Sequence, residues 1–482
     1  MVDKSTQVYI DDLILHGGGD ADDDASSITV ADMISFSGEE ERERVECDVH
    51  HFIADYVEDQ AIRFSKPDFH LEIIEACIDA FAIAFQSHEQ AAIYDWLDDL
   101  LQDFFCFGVC PPRSRTFTLQ QEQELRSPQY LDRLSDTIDQ LRRIPQPKQR
   151  SRQWYQFRHN VMTASSVGKC LIGSDAMRNS LIYEKCQPLK MSDDGGGSGT
   201  NFESPMHWGQ KYEPLTILIY EQKYGTKVGE FGCIQHSTLS CLAASPDGIN
   251  IDPKSLRYGS AVEVKNIVNR DITGVPLEMY WIQMQIQMEV CDLEQCDFIE
   301  TRFKEYLDAD AFWDAVESDE APEYMGVMLL FLDSKFQQHL YEIMPLDVGL
   351  DEETVREWIA ATQDRMRPGG WRLYQTIYWY LDEMSCVLVD RNRLWFAAAK
   401  PLIEDTWSTI LKERIQGYEH RAPKKSSINA TSSSSSPESS ARSRAATAAL
   451  ANLFAAMNDD VLVEAILSDA SFNELEKICK SL

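Results

Sequence analysis

The spacing of apolar residues changes period part-way along the chain, and that change limits the folds open to it. From His70 to Phe105 apolar side chains recur three and four residues apart, and the pattern returns from Leu119 to Ile144 around a Ser-Pro break at Pro128. This is the spacing that gives a helix one apolar face. Further on, short apolar runs alternate with turn residues, one helix follows Trp208 and another spans about Glu278 to Leu293. YMGVMLLFL and QQHLYEIMPL flank DSKF as a hairpin. The order predicts a helical N-terminal part followed by a mixed α/β part. The aromatic-rich runs WRLYQTIYWYL and WFAAAKPLIEDTWSTILKER are expected to be helices packed on the mixed part.

The chain divides accordingly. Residues 1–30, which include GGGDADDDASS at Gly17–Ser27, are expected to form a flexible acidic N-terminus, and residues 31–144 an acidic helical domain. A mixed core covers 145–345 and a helical extension 346–422. The composition predicts a Ser-rich disordered linker over 423–444 and a short helical tail over 445–482 that suits docking to a partner. The Gly-rich stretch Met191–Asn201 lacks the Lys-Ser/Thr ending of a phosphate loop and reads as a surface insertion without a catalytic role.

Charge narrows the function classes. Lys and Arg number 45 against 79 Asp and Glu, a net −34, which excludes a protein that coats DNA through uniform basicity. Residues 1–148 hold 12 basic and 31 acidic side chains and so carry most of the excess. Against this background Arg142 to Arg158 is a basic island with no acid: Arg142, Arg143, Lys148, Arg150, Arg152 and Arg158, interleaved with Trp154, Tyr155 and Phe157. Cations and rings in that mixture suit phosphate and base contacts, although a basic linker between domains would look similar. Just after it, MTASSVGKCL offers Thr163 or Ser165 as a helix cap whose free N–H groups favour an anion.

No apolar run approaches the roughly 20 residues of a membrane helix, and MVDKSTQVYIDDLIL lacks the basic start and apolar segment of a signal peptide. An intracellular protein without membrane association is expected. The 12 Cys include no C-x-x-C pair and are expected to be reduced thiols.

Chemistry concentrates in the middle of the chain. AASPDGI, Ala243–Ile249, enters a Pro-Asp-Gly turn, and AVEVKNIV, Ala261–Val268, puts Glu263 and Lys265 on one strand face. Either motif alone is ordinary. Joined as an antiparallel hairpin, they bring Asp247 beside Glu263 and Lys265: oxygen donors for a hard divalent ion such as Mg²⁺, with a Lys to orient the attacking water or, as the neutral amine, to deprotonate it. The helix His207–Gly225 carries Glu213 as a candidate third carboxylate, and LEMYWIQMQIQMEV aligns Tyr280, Gln283 and Gln287 on one face. Those glutamines suit holding substrate or water, or simple exposure to solvent.

In order across Trp154 to Gln285 the chain reads W-x3-R-x4-TAS, WG-x-x-YE, SPDG, E-x-K and Y-x-x-Q-x-Q, preceded by QRS-x-x-WY-x-x-R over Gln149–Arg158. This set resembles the lambda-type exonucleases and YqaJ-like viral recombinases of the PD-(D/E)XK nuclease superfamily, in particular those of large DNA viruses of eukaryotes. The resemblance covers about 145–345 and implies an α/β (α+β) restriction-endonuclease-like core, a mixed sheet flanked by helices. It further implies a metal site of Glu213, Asp247 and Glu263 assisted by the carbonyl of Val264, holding Mg²⁺ with Mn²⁺ as a substitute. Lys265 would position the attacking water and Gln283 would lie near the active centre. Arg158 and Ser165 would hold the 5′-phosphate of the degraded strand, with Arg150, Arg152 and Trp154 adding DNA contacts.

The implied activity is a DNA exonuclease acting 5′ to 3′ on duplex ends, supplying single strands for viral recombination or repair. An endonuclease or repair nuclease on the same core is an alternative, and an acidic scaffold or DNA mimic is another, motivated by the net charge. Expected partners are duplex ends bearing a 5′-phosphate and a single-strand annealing protein docked on the C-terminal tail. The expected location is the host nucleus or a cytoplasmic viral factory. Some related nucleases hold an iron-sulfur cluster through four Cys; this chain lacks that spacing, so no cluster is expected. The N-terminal region, the Gly-rich insert and the C-terminal extension depart from the compact phage enzymes and leave the ring-shaped trimer, and the oligomeric state, open.

Overall fold

A computed structural model of the chain describes residues 39–85, 90–107, 110–147, 149, 151–173, 175–189, 204–333 and 338–422. Arg150, the acidic link Gly17–Ser27, the Gly-rich stretch Met191–Asn201, the Ser-rich linker and the C-terminal tail lie outside the described residues.

Helices come first: α1 (Glu39–Asp59), α2 (Phe69–Ala80), α3 (Ala82–Phe85), α4 (Gln90–Phe107), α5 (Leu119–Leu125), α6 (Pro128–Arg143) and α7 (Arg152–His159). The expected break at Pro128 is a helix start: Ser127 caps α6 by accepting the Tyr130 N–H at 3.2 Å, and Pro128 occupies the first turn, where no N–H is needed. Then follow β1 (Met162–Thr163), α8 (Ala164–Leu171), α9 (Asp175–Cys186), α10 (Pro205–Tyr224), β2 (Val228–Gly229), β3 (Ile234–Gln235), β4 (Leu242–Ala244), β5 (Gly248–Asn250) and β6 (Ala261–Asn266). The last elements are α11 (Glu278–Cys291), β7 (Gln295–Glu305), α12 (Ala309–Val316), β8 (Met325–Asp333), β9 (His339–Ile343), α13 (Glu352–Met366), β10 (Trp371–Asp390) and α14 (Arg393–Gln416).

Seven strands form one mixed sheet in the order β2-β5-β6-β7-β10-β8-β9, and β1-β4-β3 form a small second sheet. The parallel β6–β7 pair, in which Lys265 lies opposite Glu300, is joined through α11, while the other neighbours in the large sheet are antiparallel. The fold is therefore the mixed α/β class expected. Its β8–β9 pair is the hairpin read around DSKF.

One expectation is corrected. WRLYQTIYWYL is not helical: it begins β10, a strand running from Trp371 to Asp390 that pairs with β8 along its first half and β7 along its second. Aromatic and β-branched residues such as Tyr374, Thr376, Ile377, Tyr378 and Trp379 lose rotamer freedom in a helix and pack well on a pleated sheet. Gly370, at φ +81°, provides the left-handed turn that ends the preceding helical segment and launches the strand.

The N-terminal helices share their core with the rest of the fold. Val49, Ile73, Trp96 and Leu101 belong to the same buried cluster as Trp281 of α11 and Trp395 of α14. Arg113 donates to the Ser65 carbonyl at 3.0 Å and also to that of Pro276, and its own carbonyl accepts the Trp281 indole N–H at 2.7 Å. The start of α11 is thus braced from the N-terminal side. On its other flank α11 meets α8 closely, because a Cβ at Gly168 would lie 2.5 Å from Met279 Sδ. Among the described residues no helix is long and apolar enough to cross a membrane.

Candidate active site

The β5–β6 hairpin assembles the acidic centre. Asp247 ends the Ser-Pro-Asp turn: its N–H donates to the Val262 carbonyl at 3.1 Å, and its Oδ2 accepts the Val264 N–H at 2.8 Å. Gly248 follows because β2 leaves no room for a Cβ against Val228. Glu263, one strand residue before Val264, is fully buried. Its Oε1 accepts from Lys265 Nζ and from Gln283 Nε2 at 2.6 Å, and its Oε2 accepts from Gln287 Nε2 at 2.7 Å. The Lys265 ammonium lies 4.8 Å from the centre of the Tyr280 ring.

Tyr280, Gln283 and Gln287 therefore share a helical face, as their spacing indicates, and that face is turned inward onto Glu263. Gln285 points elsewhere: it donates to the Asp390 carbonyl at 2.9 Å and accepts the Asn392 N–H at 2.7 Å, tying α11 to the corner between β10 and α14.

Glu213 sits exposed on α10 immediately before Pro214, and its charge reaches Asp247. Burial, then the Glu263 and Glu213 carboxylates, push the Asp247 carboxyl well above the usual range, while Lys265 and the Val264 N–H work the other way. Burial opposes the charge on Lys265, yet Glu263 and Asp247 outweigh it and raise its pKa, so Lys265 is an ammonium at neutral pH. Among the described residues no three His, Cys, Asp or Glu side chains close on a single point. Even so, Asp247 lies close enough to Glu263 and Glu213 to be repelled by both, and hard carboxylate oxygens suit a divalent ion such as Mg²⁺.

A second cluster surrounds α7. Ser151 caps that helix by accepting the Trp154 N–H at 3.2 Å. Trp154 is half-buried against Val161, Cys233 and Ala243, with the Arg158 guanidinium 4.6 Å from its ring centre. Arg152 and Tyr155 face solvent. Thr163 stands at the N-cap of α8, and its N–H donates to Ser166 Oγ at 3.0 Å. Ser165 is exposed on the first turn, its Oγ 3.3 Å from Thr163 Oγ1. Arg158 and Ser165 thus flank the two-residue strand β1.

Behind Arg158 lie two cations that the sequence reading missed. Lys185, buried on α9, donates to the Arg158 carbonyl at 2.7 Å, and Arg414 of α14 donates to the carbonyls of His159 at 2.7 Å and Lys185 at 2.8 Å. Burial lowers the Lys185 pKa to about 8, helped by Arg158, Arg414 and Lys169 and opposed by Glu184.

The description "YqaJ-like viral recombinase domain" matches residues 153–294, from the start of α7 to the end of α11. That segment is similar to YqaJ-like domains. An uncharacterized protein of Acanthamoeba polyphaga mimivirus is 25% identical over 329 residues, which are 60% of this chain and 57% of that protein. Among solved structures, the alkaline exonuclease of Laribacter hongkongensis is similar at 19% identity and a TM-score of 0.30, over 56% of this chain and 95% of that one. A phage-related exonuclease from Haemophilus somnus is similar at 15% identity and a TM-score of 0.28, over 55% and 98%.

The YqaJ-like domain contains Arg158, Ser165, Glu213, Asp247, Glu263, Lys265 and the three glutamines, and also Lys185. Arg414 lies beyond it, as does β10, which runs between β7 and β8 inside the large sheet. Nothing local distinguishes Arg414 from the other cations of its amphipathic helix, so no sequence signal pointed to it.

Proposed function

We propose that this protein is a divalent-metal-dependent DNA nuclease that degrades duplex DNA from its ends, 5′ to 3′. The observation that carries the reading is the burial of Glu263 among Lys265, Gln283 and Gln287, beside Asp247, within a YqaJ-like domain. Asp247, Glu263 and Glu213, with the carbonyl of Val264, would hold Mg²⁺, and Mn²⁺ suits the same donors. When bound, the ion stabilises negative charge building on the scissile phosphate.

Gln283 and Gln287 fix the Glu263 carboxylate in one orientation, so the site does not reorganise as the reaction proceeds. Lys265, charged at neutral pH, holds the attacking water as a donor and offsets negative charge in the transition state. Arg158 and the Ser165 hydroxyl hold a terminal 5′-phosphate, with Arg152 and Arg150 steering the duplex. The single-stranded product suits recombination or repair in a large DNA virus, with an annealing protein received by the C-terminal tail.

Purified protein incubated with linear 5′-phosphorylated duplex is expected to release nucleotides from the 5′ end in Mg²⁺ and to be silent in EDTA. Covalently closed circular DNA should survive. Cleavage of the circle at a rate comparable to the linear substrate would favour the endonuclease reading, and inactivity on every DNA in Mg²⁺ and Mn²⁺ would favour the acidic scaffold.

A further inference from the structure

The helix α14 touches both halves of the proposed machinery. At its N-terminus, Asn392 caps the helix by accepting the Trp395 N–H at 2.8 Å and donates its own N–H to Gln285 of α11. Trp395 packs edge-on against Trp281 of α11, with ring centres 5.3 Å apart. That same α11 presents Gln283 and Gln287 to Glu263. Nineteen residues after Trp395, about 28 Å along a helix at ~1.5 Å per residue, the other end of α14 carries Arg414.

Arg414 spends its donors on helix ends. Nε and Nη2 reach the Lys185 carbonyl at 2.9 and 2.8 Å, Nη2 also reaches the His159 carbonyl at 2.7 Å, and Nη1 reaches Asn160 Oδ1 at 3.2 Å. Those acceptors belong to the C-terminal ends of α7 and α9, where carbonyls lack partners within their own helix and attract cations. Lys185 Nζ donates to the Arg158 carbonyl at 2.7 Å, and His159 Nε2 donates to the Gln187 carbonyl at 2.9 Å. The two helix ends are thus cross-braced, and Arg414 is the part of the brace supplied from outside the YqaJ-like domain.

We infer that Arg414 is a positioning residue for Arg158: by clasping the ends of α7 and α9, it fixes α7, and with it the end-binding guanidinium, at a set distance from the acidic centre that the other end of α14 braces. The inference rests on reading Arg158 as the residue that binds a DNA end. A planar fork with several N–H donors can serve three acceptors at once, which a lysine ammonium at the end of a flexible stem does less well.

Wild type, Arg158→Ala, Arg414→Ala and Arg414→Lys are compared on one blunt duplex bearing either a 5′-phosphate or a 5′-hydroxyl, with kcat and KM determined separately. Hydrogen exchange over residues 152–160 is followed in the same proteins. Wild type should prefer the phosphorylated end at least about tenfold, and Arg158→Ala should abolish the preference. Arg414→Ala should cut it at least about threefold, mainly through a raised KM for the phosphorylated duplex, and should speed exchange in α7. Arg414→Lys should fall between Arg414→Ala and wild type, and it carries the test if the alanine variant does not fold.

If Arg158→Ala loses the preference while both Arg414 variants keep it and leave α7 exchange unchanged, the positioning role is wrong and the reading of Arg158 stands. If wild type treats the two ends alike, the reading of Arg158 falls and the positioning role falls with it.

Discussion

Asp247, Glu263, Val264 and Lys265 come from one hairpin, whereas Arg158, Lys185 and Arg414 come from three helices, the last of them more than 200 residues further along the chain. The acidic centre is held by strand register and by two glutamines from a single neighbouring helix. The cationic cluster is held by side chains reaching the carbonyl ends of other helices. A hairpin fixes its own chemistry almost locally. An assembly of helices depends on everything that packs them together.

The sharpest way to break this contrast is at the acids. Asp247→Asn and Glu263→Gln should each lower Mg²⁺-dependent cleavage by more than roughly a hundredfold without unfolding the protein, and Lys265→Ala should lower turnover with little change in metal affinity. Cleavage assays paired with metal titration by calorimetry separate these outcomes. Turnover near wild type in either acid variant would remove the proposed metal site. In EDTA, Asp247→Asn should also melt at a higher temperature than wild type, because the native pKa of Asp247 is raised and its ionised form is repelled by Glu263 and Glu213.

At the cationic end the expected effect is smaller. Arg158→Ala should remove a preference for 5′-phosphate of about tenfold while metal-dependent cleavage persists, since the variant loses an anchoring contact and no metal donor. Competition between 5′-phosphate and 5′-hydroxyl duplexes in one reaction reads this directly, and an unaltered ratio would place the end-binding residue elsewhere.

The glutamines sharpen the contrast within one helix. Gln287→Ala leaves a buried Glu263 oxygen without its donor and should cost about 1–3 kcal/mol in urea unfolding, together with roughly a tenfold loss of turnover. Gln285→Ala should cost stability through the β10–α14 corner yet leave turnover within about twofold, because its partners are Asp390 and Asn392. Equal losses of turnover in the two variants would mean that α11 acts as one rigid unit.

The smallest effect concerns Lys185. Its native pKa, near 8, lies below the ordinary lysine value, so between about pH 8 and 10.5 the unfolded chain binds the extra proton and rising pH favours the native state. The stability of wild type relative to Lys185→Met should therefore increase across that interval and be flat below it. A flat difference throughout would mean that burial does not lower the Lys185 pKa in the native state.

What could be read directly follows the range of the interactions. The Ser-Pro turn before α6, the β8–β9 hairpin, the β5–β6 pair and the shared face of Tyr280, Gln283 and Gln287 all rest on spacings within about twenty residues, where backbone geometry maps sequence offset onto a face or a turn. The run Trp371–Leu381 misled because its apolar spacing fits either a strand or a helix. Its place between β7 and β8, set by distant partners, decided in favour of a strand.

Tertiary structure alone decided that Gln285 serves a corner while its neighbours serve Glu263, that Trp154 packs inward beneath Arg158, and that Arg414 reaches the helix ends behind that arginine. The physical reason is that a side chain's identity limits what it can donate or accept, but only the packed fold determines which groups come within about 3 Å of it.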